Sequence, residues 1–201
     1  MKGKLIVIEG VDGSGKSTQV KMFPADYKLA FPRYDHFFGK IIKIILHHEW
    51  GKRLSPYLTA GFFALDRLMA KSMINSWLKE GQTVLVDRYT ASSQAHQGAK
   101  LKGEKRQKLI NWIGWLENKL FKLPLPDKVI YLKVPAEMSQ RLMVGRKQKD
   151  TVEKDLVYQK ETVKVYEKLA KRFNFMVIDC MMGNKLLSKH AINRKIKRAF
   201  N

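Results

Sequence analysis

Five short apolar runs mark out the chain: Leu5–Ile8, Lys28–Phe31, Thr83–Asp87, Lys128–Val134 and Phe175–Asp179. The first is four apolar, mostly β-branched residues without polar alternation, the pattern of a central parallel strand buried on both faces. Helical segments fall between the runs. Ser17–Phe23 is stopped by Pro24, and Phe38–Leu46 follows the second run. Ser55 at an N-cap and Pro56 at the first helical position open a helix that runs to about Lys79, with Gly81 placed to close it. Further helices are predicted over Gln107–Phe121, ended by Pro124 and Pro126, and over Pro135–Val144, Val152–Phe173 and Asn184–Phe200. Strands alternating with helices predict an α/β fold of three layers, a five-stranded parallel sheet flanked by helices. No repeat, low-complexity segment or linker divides residues 1–201, so the expectation is one domain. Ligands in such sheets bind at the carboxyl ends of the strands, which directs attention to the loops at Gly10, Phe31, Asp87, Val134 and Asp179.

The loop after the first strand carries chemistry. Gly10-Val11-Asp12-Gly13-Ser14-Gly15-Lys16-Ser17-Thr18 fits G-x-x-x-x-G-K-[ST] at every fixed position, between a predicted strand and a predicted helix. Glycines at 10, 13 and 15 let the backbone close around an anion, and the helix N-terminus adds partial positive charge. Lys16 would reach the β- and γ-phosphates and the Ser17 hydroxyl would ligate magnesium. The fold expected is therefore that of the P-loop NTPases, with ATP-Mg2+ as the bound species.

Composition narrows the setting. Hydrophobic residues make up 45% of the 201, enough for a core, so global disorder is excluded. One cysteine, Cys180, rules out an internal disulfide and suits a reducing cytoplasm. No signal-peptide pattern opens the chain and no apolar run is long enough to span a membrane. Thirty-nine Lys and Arg against 18 Asp and Glu give +21, which admits nucleic-acid binding. The competing reading is a generally basic surface, and the even spread of charge along the chain favours it. No specific nucleic acid is expected.

Other constellations lie at or near strand ends. Asp87-Arg88 puts a carboxylate where magnesium needs a partner and a guanidinium that can grip phosphate bidentately. Phe63 and Arg67, four apart on one helix, could clasp a flat base. Arg141, Arg146, Lys147 and Lys149 surround a helix end and a loop able to deliver arginine to a transferring phosphoryl group. His47-His48-Glu49 lacks the spacing of a metal site.

Together, Val11–Thr18, Phe31-Pro32-Arg33-Tyr34, Phe63-Ala64-Leu65-Asp66-Arg67, Asp87–Gly98, Pro126–Leu132 and Pro135, Glu137 and Arg141 resemble the thymidylate kinases, in family order. The resemblance implies ATP and dTMP as substrates, a homodimer and the following roles. Asp12 would bond the deoxyribose 3′-hydroxyl or lie near magnesium. Phe63 would stack on thymine and Arg67 would bond its O4. Arg88, helped by Tyr34, would hold the 5′-phosphate, and Phe31 would also bind the substrate. Ser92 and Ser93 would approach the base edge, and His96 would lie against the sugar. Arg141 and Arg146 would belong to a lid over ATP, at about 144–152, and Met181-Met182-Gly183 to a loop near adenine. The sequence departs from the family in a short segment between Lys16 and Phe31, in His96 where an aromatic residue is usual, and in Ser93 where Asn or Thr is. Gly13 stands where some members carry arginine, which assigns the catalytic arginine to the lid, at Arg146.

The reaction expected is ATP plus dTMP giving ADP plus dTDP. The acceptor phosphate is largely ionised at neutral pH, with a second pKa of about 6, so no general base is required. A deoxynucleoside kinase would need a carboxylate base after the second strand, where only Asp35 is close. That rival stays open, as do another nucleoside monophosphate kinase on this fold and a nucleic-acid-binding P-loop protein.

Overall fold

The computed structural model describes residues 3–143 and 155–198. Five parallel strands, β1 (Lys4–Glu9), β2 (Tyr27–Ala30), β3 (Thr83–Asp87), β4 (Lys128–Lys133) and β5 (Met176–Asp179), form one sheet in the order β2-β3-β1-β4-β5. Alternate residues of the central strands enter different cores, as the two-residue strand period requires. Ile6, Ile8, Leu85, Ile130 and Leu132 pack with Val20 of helix α1 (Lys16–Met22) and with Ile192 and Ile196 of α8 (Lys189–Arg198). Leu5, Val7, Val84 and Val86 pack with Ala70 and Ile74 of α3 (Pro56–Lys79). Cover on both faces is why these strands read as unbroken apolar runs.

Helix α3 begins as its sequence dictates, with the Ser55 hydroxyl accepting from the Tyr57 amide at 3.3 Å and Pro56 in the first turn. The other helices are α2 (Phe37–His47), α4 (Thr90–Gly98), α5 (Gly103–Gly114), α6 (Ala136–Met143) and α7 (Leu156–Arg172). A six-residue π-helical stretch, Trp115–Leu120, continues α5, and a short 3-10 turn, Glu49–Arg53, precedes α3.

Three features differ from the sequence expectation. The Asp87–Gly98 block, expected only as a motif, contains α4, a helix whose Thr90, Ser92, Ser93 and Gln94 side chains bond to tertiary partners. Helix α5 starts at Gly103, ahead of the expected Gln107. The last helix starts at Lys189 because a small antiparallel hairpin, β6 (Met181–Met182) and β7 (Lys185–Leu186), occupies the first residues of the predicted helix. The proposed lid, 144–152, and Arg146 within it lie outside the described residues. Among the described residues no helix is long and apolar enough to cross a membrane.

The connections after β1 and β3 run to opposite sides of β1, the topological point at which open α/β sheets bind ligands. Ile8 lies in register with Asp87, so the P-loop and the Asp87-Arg88 pair leave adjacent strands at one level.

Candidate active site

The P-loop turns tightly from β1 into α1. Gly13 and Gly15 adopt φ of 82° and 88°, where a Cβ is strained. A Cβ on Gly13 would also come within 2.5 Å of the Ser139 carbonyl oxygen and 2.9 Å of Met143 Cγ, because α6 lies against the loop. Ser139 Oγ donates to the Asp12 carbonyl, fixing the loop to that helix. Lys16 Nζ donates to the loop's own carbonyls, at 2.9 Å to Gly10 and 2.8 Å to Val11. Val11 and Ser14 are buried, whereas Ser17 and Thr18 are exposed at the start of α1.

Ser17 Oγ donates to Asp87 Oδ2 at 3.0 Å. The other carboxylate oxygen, Oδ1, is buried and has no hydrogen-bond partner among the described residues. A buried carboxylate oxygen left without a donor, beside a hydroxyl, suits a hard cation that takes most of its ligands from water and phosphate. The residues present therefore fit magnesium.

Beside the P-loop lies a cavity of about 350 Å3. Asp12, Ser17, Phe31, Tyr34, Phe63 and Arg67 contribute to its wall. So do Asp87, Arg88, Ser92, Ser93 and His96, with Lys100 and Tyr158. All eight residues expected to bind substrate are thus brought together. Phe31 is buried and followed by a cis peptide to Pro32, and Tyr34 is partly exposed at the rim. The segment after Phe31 is held by Asp66, whose Oδ2 accepts from the Arg33 amide at 2.8 Å and whose Oδ1 pairs with the Arg33 guanidinium at 3.0 Å.

Arg88 is the centre of the cavity's charge. Its Nη2 donates to Asp12 Oδ1, tying this part of the wall to the P-loop, and its Nη1 donates to His96 Nε2 at 3.1 Å. Arginine can only donate, so Nε2 of His96 accepts and the proton sits on Nδ1, 3.1 Å from the Tyr158 hydroxyl. That hydroxyl donates in turn to the His96 carbonyl at 3.0 Å. Burial holds the imidazole well below its usual 6.5, and the charges of Arg88, Lys16 and Lys100 push the same way. His96 is therefore a neutral acceptor at physiological pH.

Arg88 also has φ of 68°, an uncommon backbone conformation for arginine. Its neighbours hold it there. The Arg88 amide donates to the Ile8 carbonyl at 3.1 Å. Glu9, the last residue of β1, accepts from the amides of Tyr89 at 2.8 Å and Ser92 at 3.1 Å through Oε1. A carboxylate from a neighbouring strand thus caps the N-terminus of α4. Glu9 Oε2 takes the Ser92 hydroxyl at 2.6 Å and the Tyr166 hydroxyl at 2.9 Å. Burial pushes the Glu9 carboxyl above its usual 4.5, while the bonds from Ser92, Tyr89 and Tyr166 pull it down. The Ser92 side chain, expected at the base edge, is thus engaged by Glu9.

Arg67 is wholly buried, its Nε and Nη2 donating to Glu117 Oε2 and Oε1 at 2.9 and 2.6 Å, and its Nη2 also to Ser93 Oγ at 2.6 Å. Sequence reasoning did not single out Glu9, Glu117, Asp66 or Tyr158. Glu9 had a visible signal, a lone carboxylate closing a buried strand. The partners of Glu117 are remote in sequence and left none.

Arg141 stands apart from this cavity. With Pro135, Glu137, Asp179, Met181 and Gly183 it lines a second one, of about 500 Å3, over the ends of β4 and β5. Among the described residues no group of three or more His, Cys, Asp or Glu could hold a metal ion by itself.

The chain is similar to known proteins over most of its length. A family model described as thymidylate kinase matches residues 8–189. A thymidylate kinase from Mycobacterium tuberculosis is 36% identical over 182 residues, covering 83% of this chain and 85% of the relative. A probable thymidylate kinase from Saccharolobus solfataricus is 31% identical over 202 residues, covering 98% and 99%. Among solved structures, a thymidylate kinase from Candida albicans superposes with a TM-score of 0.79 at 23% identity, covering 99% of this chain and 91% of that one. The fold, the phosphate loop and this agreement over nearly the whole chain lead to one conclusion: the chain belongs to the thymidylate kinase family.

Proposed function

We infer that the chain transfers the γ-phosphoryl group of ATP to dTMP, giving ADP and dTDP. The observation that carries this reading is the contact between Asp12 of the P-loop and Arg88 of the cavity, which joins a triphosphate loop to a pocket of about 350 Å3.

Phe31, Phe63 and Arg67 hold the thymine, Phe63 by its ring face and Arg67 by donating to O4. Arg88, with Tyr34, holds the 5′-phosphate, and Asp12 bonds the 3′-hydroxyl, while His96 lies along the sugar. Ser93 approaches the base edge, and Ser92 supports the wall through its bond to Glu9. Residues Gly10 to Thr18 cradle the triphosphate of ATP, with Arg141 toward its adenosine end. Ser17 and Asp87 are the groups that would hold magnesium, which supplies charge neutralisation between the phosphates. The acceptor oxygen is already ionised, so this chain's residues need only position and neutralise. Lys16 and Arg88 do so from the described residues, and Arg146 is the proposed lid arginine.

The chain is read as one domain acting in the cytoplasm and as a homodimer. Exposed apolar side chains on neighbouring helices support the dimer: Phe37 and Ile44 on α2, Leu58 and Met69 on α3. Analytical ultracentrifugation of the protein alone tests it, a dimer mass being expected and a monomer mass contradicting it.

The activity is tested by ADP production from ATP with dTMP, dUMP, dCMP, dGMP and thymidine offered in turn. Turnover with dTMP above the other monophosphates is expected. Activity confined to thymidine, or none with any monophosphate, overturns the reading.

A further inference from the structure

Glu117 is a fully buried carboxylate that does not itself line the cavity and reaches it only through the wall residue Arg67. It sits in the π-helical stretch Trp115–Leu120, where the helix is widened by one residue per turn and side chains are re-aimed. Its two oxygens receive three hydrogen bonds: Arg67 Nη2 at 2.6 Å, Arg67 Nε at 2.9 Å and Thr90 Oγ1 at 2.8 Å. A carboxylate is tolerated in such a place only when its charge is matched and its lone pairs are filled.

The consequence lies with Arg67. A bidentate fork fixes the plane and angle of a guanidinium, which a single hydrogen bond does not. Nε and Nη2 are committed, and Nη1 is the nitrogen of Arg67 without a partner among the described residues. Ser93 Oγ accepts from Nη2, so its own hydroxyl proton is left to donate elsewhere. Arg67 and Ser93 both line the cavity. That end of the cavity therefore offers N–H and O–H donors.

We propose that Glu117 is the positioning residue for base selection: by clamping Arg67 it presents a fixed donor edge that takes the 4-keto oxygen of a pyrimidine and turns away a 4-amino group. The inference rests on the reading of this cavity as the dTMP site. Glu117 acts through Arg67, so its loss weakens acceptor binding and leaves phosphoryl transfer alone.

The test is steady-state kinetics of Glu117→Gln with dTMP and dCMP. Turnover of dTMP by the wild type is measured first; its absence overturns the reading of the cavity, independently of Glu117. Given wild-type turnover, the KM for dTMP rises roughly tenfold to a hundredfold in Glu117→Gln. The preference for dTMP over dCMP narrows, while kcat and the KM for ATP stay within about twofold. In an Arg67→Ala background Glu117→Gln adds nothing to the dTMP KM, because the clamp has nothing to hold. Glu117→Asp keeps the charge and withdraws it by one methylene, giving an intermediate KM, and takes over the test if the Gln variant does not fold. An unchanged dTMP KM in either folded variant, or an equal rise with and without Arg67, overturns the proposal.

Discussion

The cavity proposed for dTMP and the P-loop are built in opposite ways. The cavity is held by long side chains that bond one another: Arg67 on Glu117 and Ser93 and Glu9 beneath the start of α4, all buried, and Arg88 on Asp12 and His96, part-buried. The P-loop is mostly backbone, shaped by glycines at positive φ, with Lys16 resting on its own carbonyls. The difference follows from the ligands. A flat base with a distinctive edge is recognised by fixed, directional donors, whereas a triphosphate looks alike from many directions and is met by amide groups. Selectivity should therefore depend on the cavity and turnover on the loop.

The comparison breaks most visibly at Lys16. Lys16→Ala should lower kcat by roughly a thousandfold, because it removes a charge that acts on the transferring group. Calorimetric affinity for dTMP should be untouched. A parallel loss of dTMP affinity would show the two regions to be one unit.

Arg67→Ala is the converse. Losing the buried donor should raise the dTMP KM by about tenfold to a hundredfold, with the ATP KM unchanged, read in the same ADP assay.

Gly13→Ala probes the loop without removing a charge. A Cβ there meets the Ser139 carbonyl at 2.5 Å with φ at 82°, so the variant should lose roughly 1–2 kcal/mol of stability, measured by urea unfolding.

The smallest effect is in the pH dependence. His96 is held neutral well below 6.5, so below pH 6.5 the unfolded chain binds the extra proton. Stability from this group is present above pH 6.5 and is lost as pH falls toward its folded value. Glu9, raised above 4.5, works in the opposite sense: stability is lost as pH rises from 4.5 through its folded value. His96→Gln should therefore flatten the rise in thermal stability between about pH 5 and pH 6.5, leaving Tm above pH 7 nearly unchanged.

The same contrast explains what could be read from the sequence. Strand β1 and the P-loop were legible because their signals are local: an apolar run, three glycines and a Lys-Ser pair within nine positions. Arg88 and Asp87 were legible as a pair at a strand end. Helix α4 was not, since its Ser92 and Gln94 side chains bond Glu9, Tyr166 and the Ile110 carbonyl, none of which is adjacent in sequence. Glu117 meets Arg67 across 50 residues and through a π-helical stretch that no periodicity announces. Tyr158 meets the protonated Nδ1 of His96 from 62 residues away.

The central claim is that this cavity is the dTMP site and that Arg88 grips the phosphate there, and titration calorimetry of dTMP into the protein tests it most directly. Binding of dTMP to the wild type is expected, with the signal abolished in Arg88→Ala. Binding of unchanged affinity in a folded Arg88→Ala variant would contradict it.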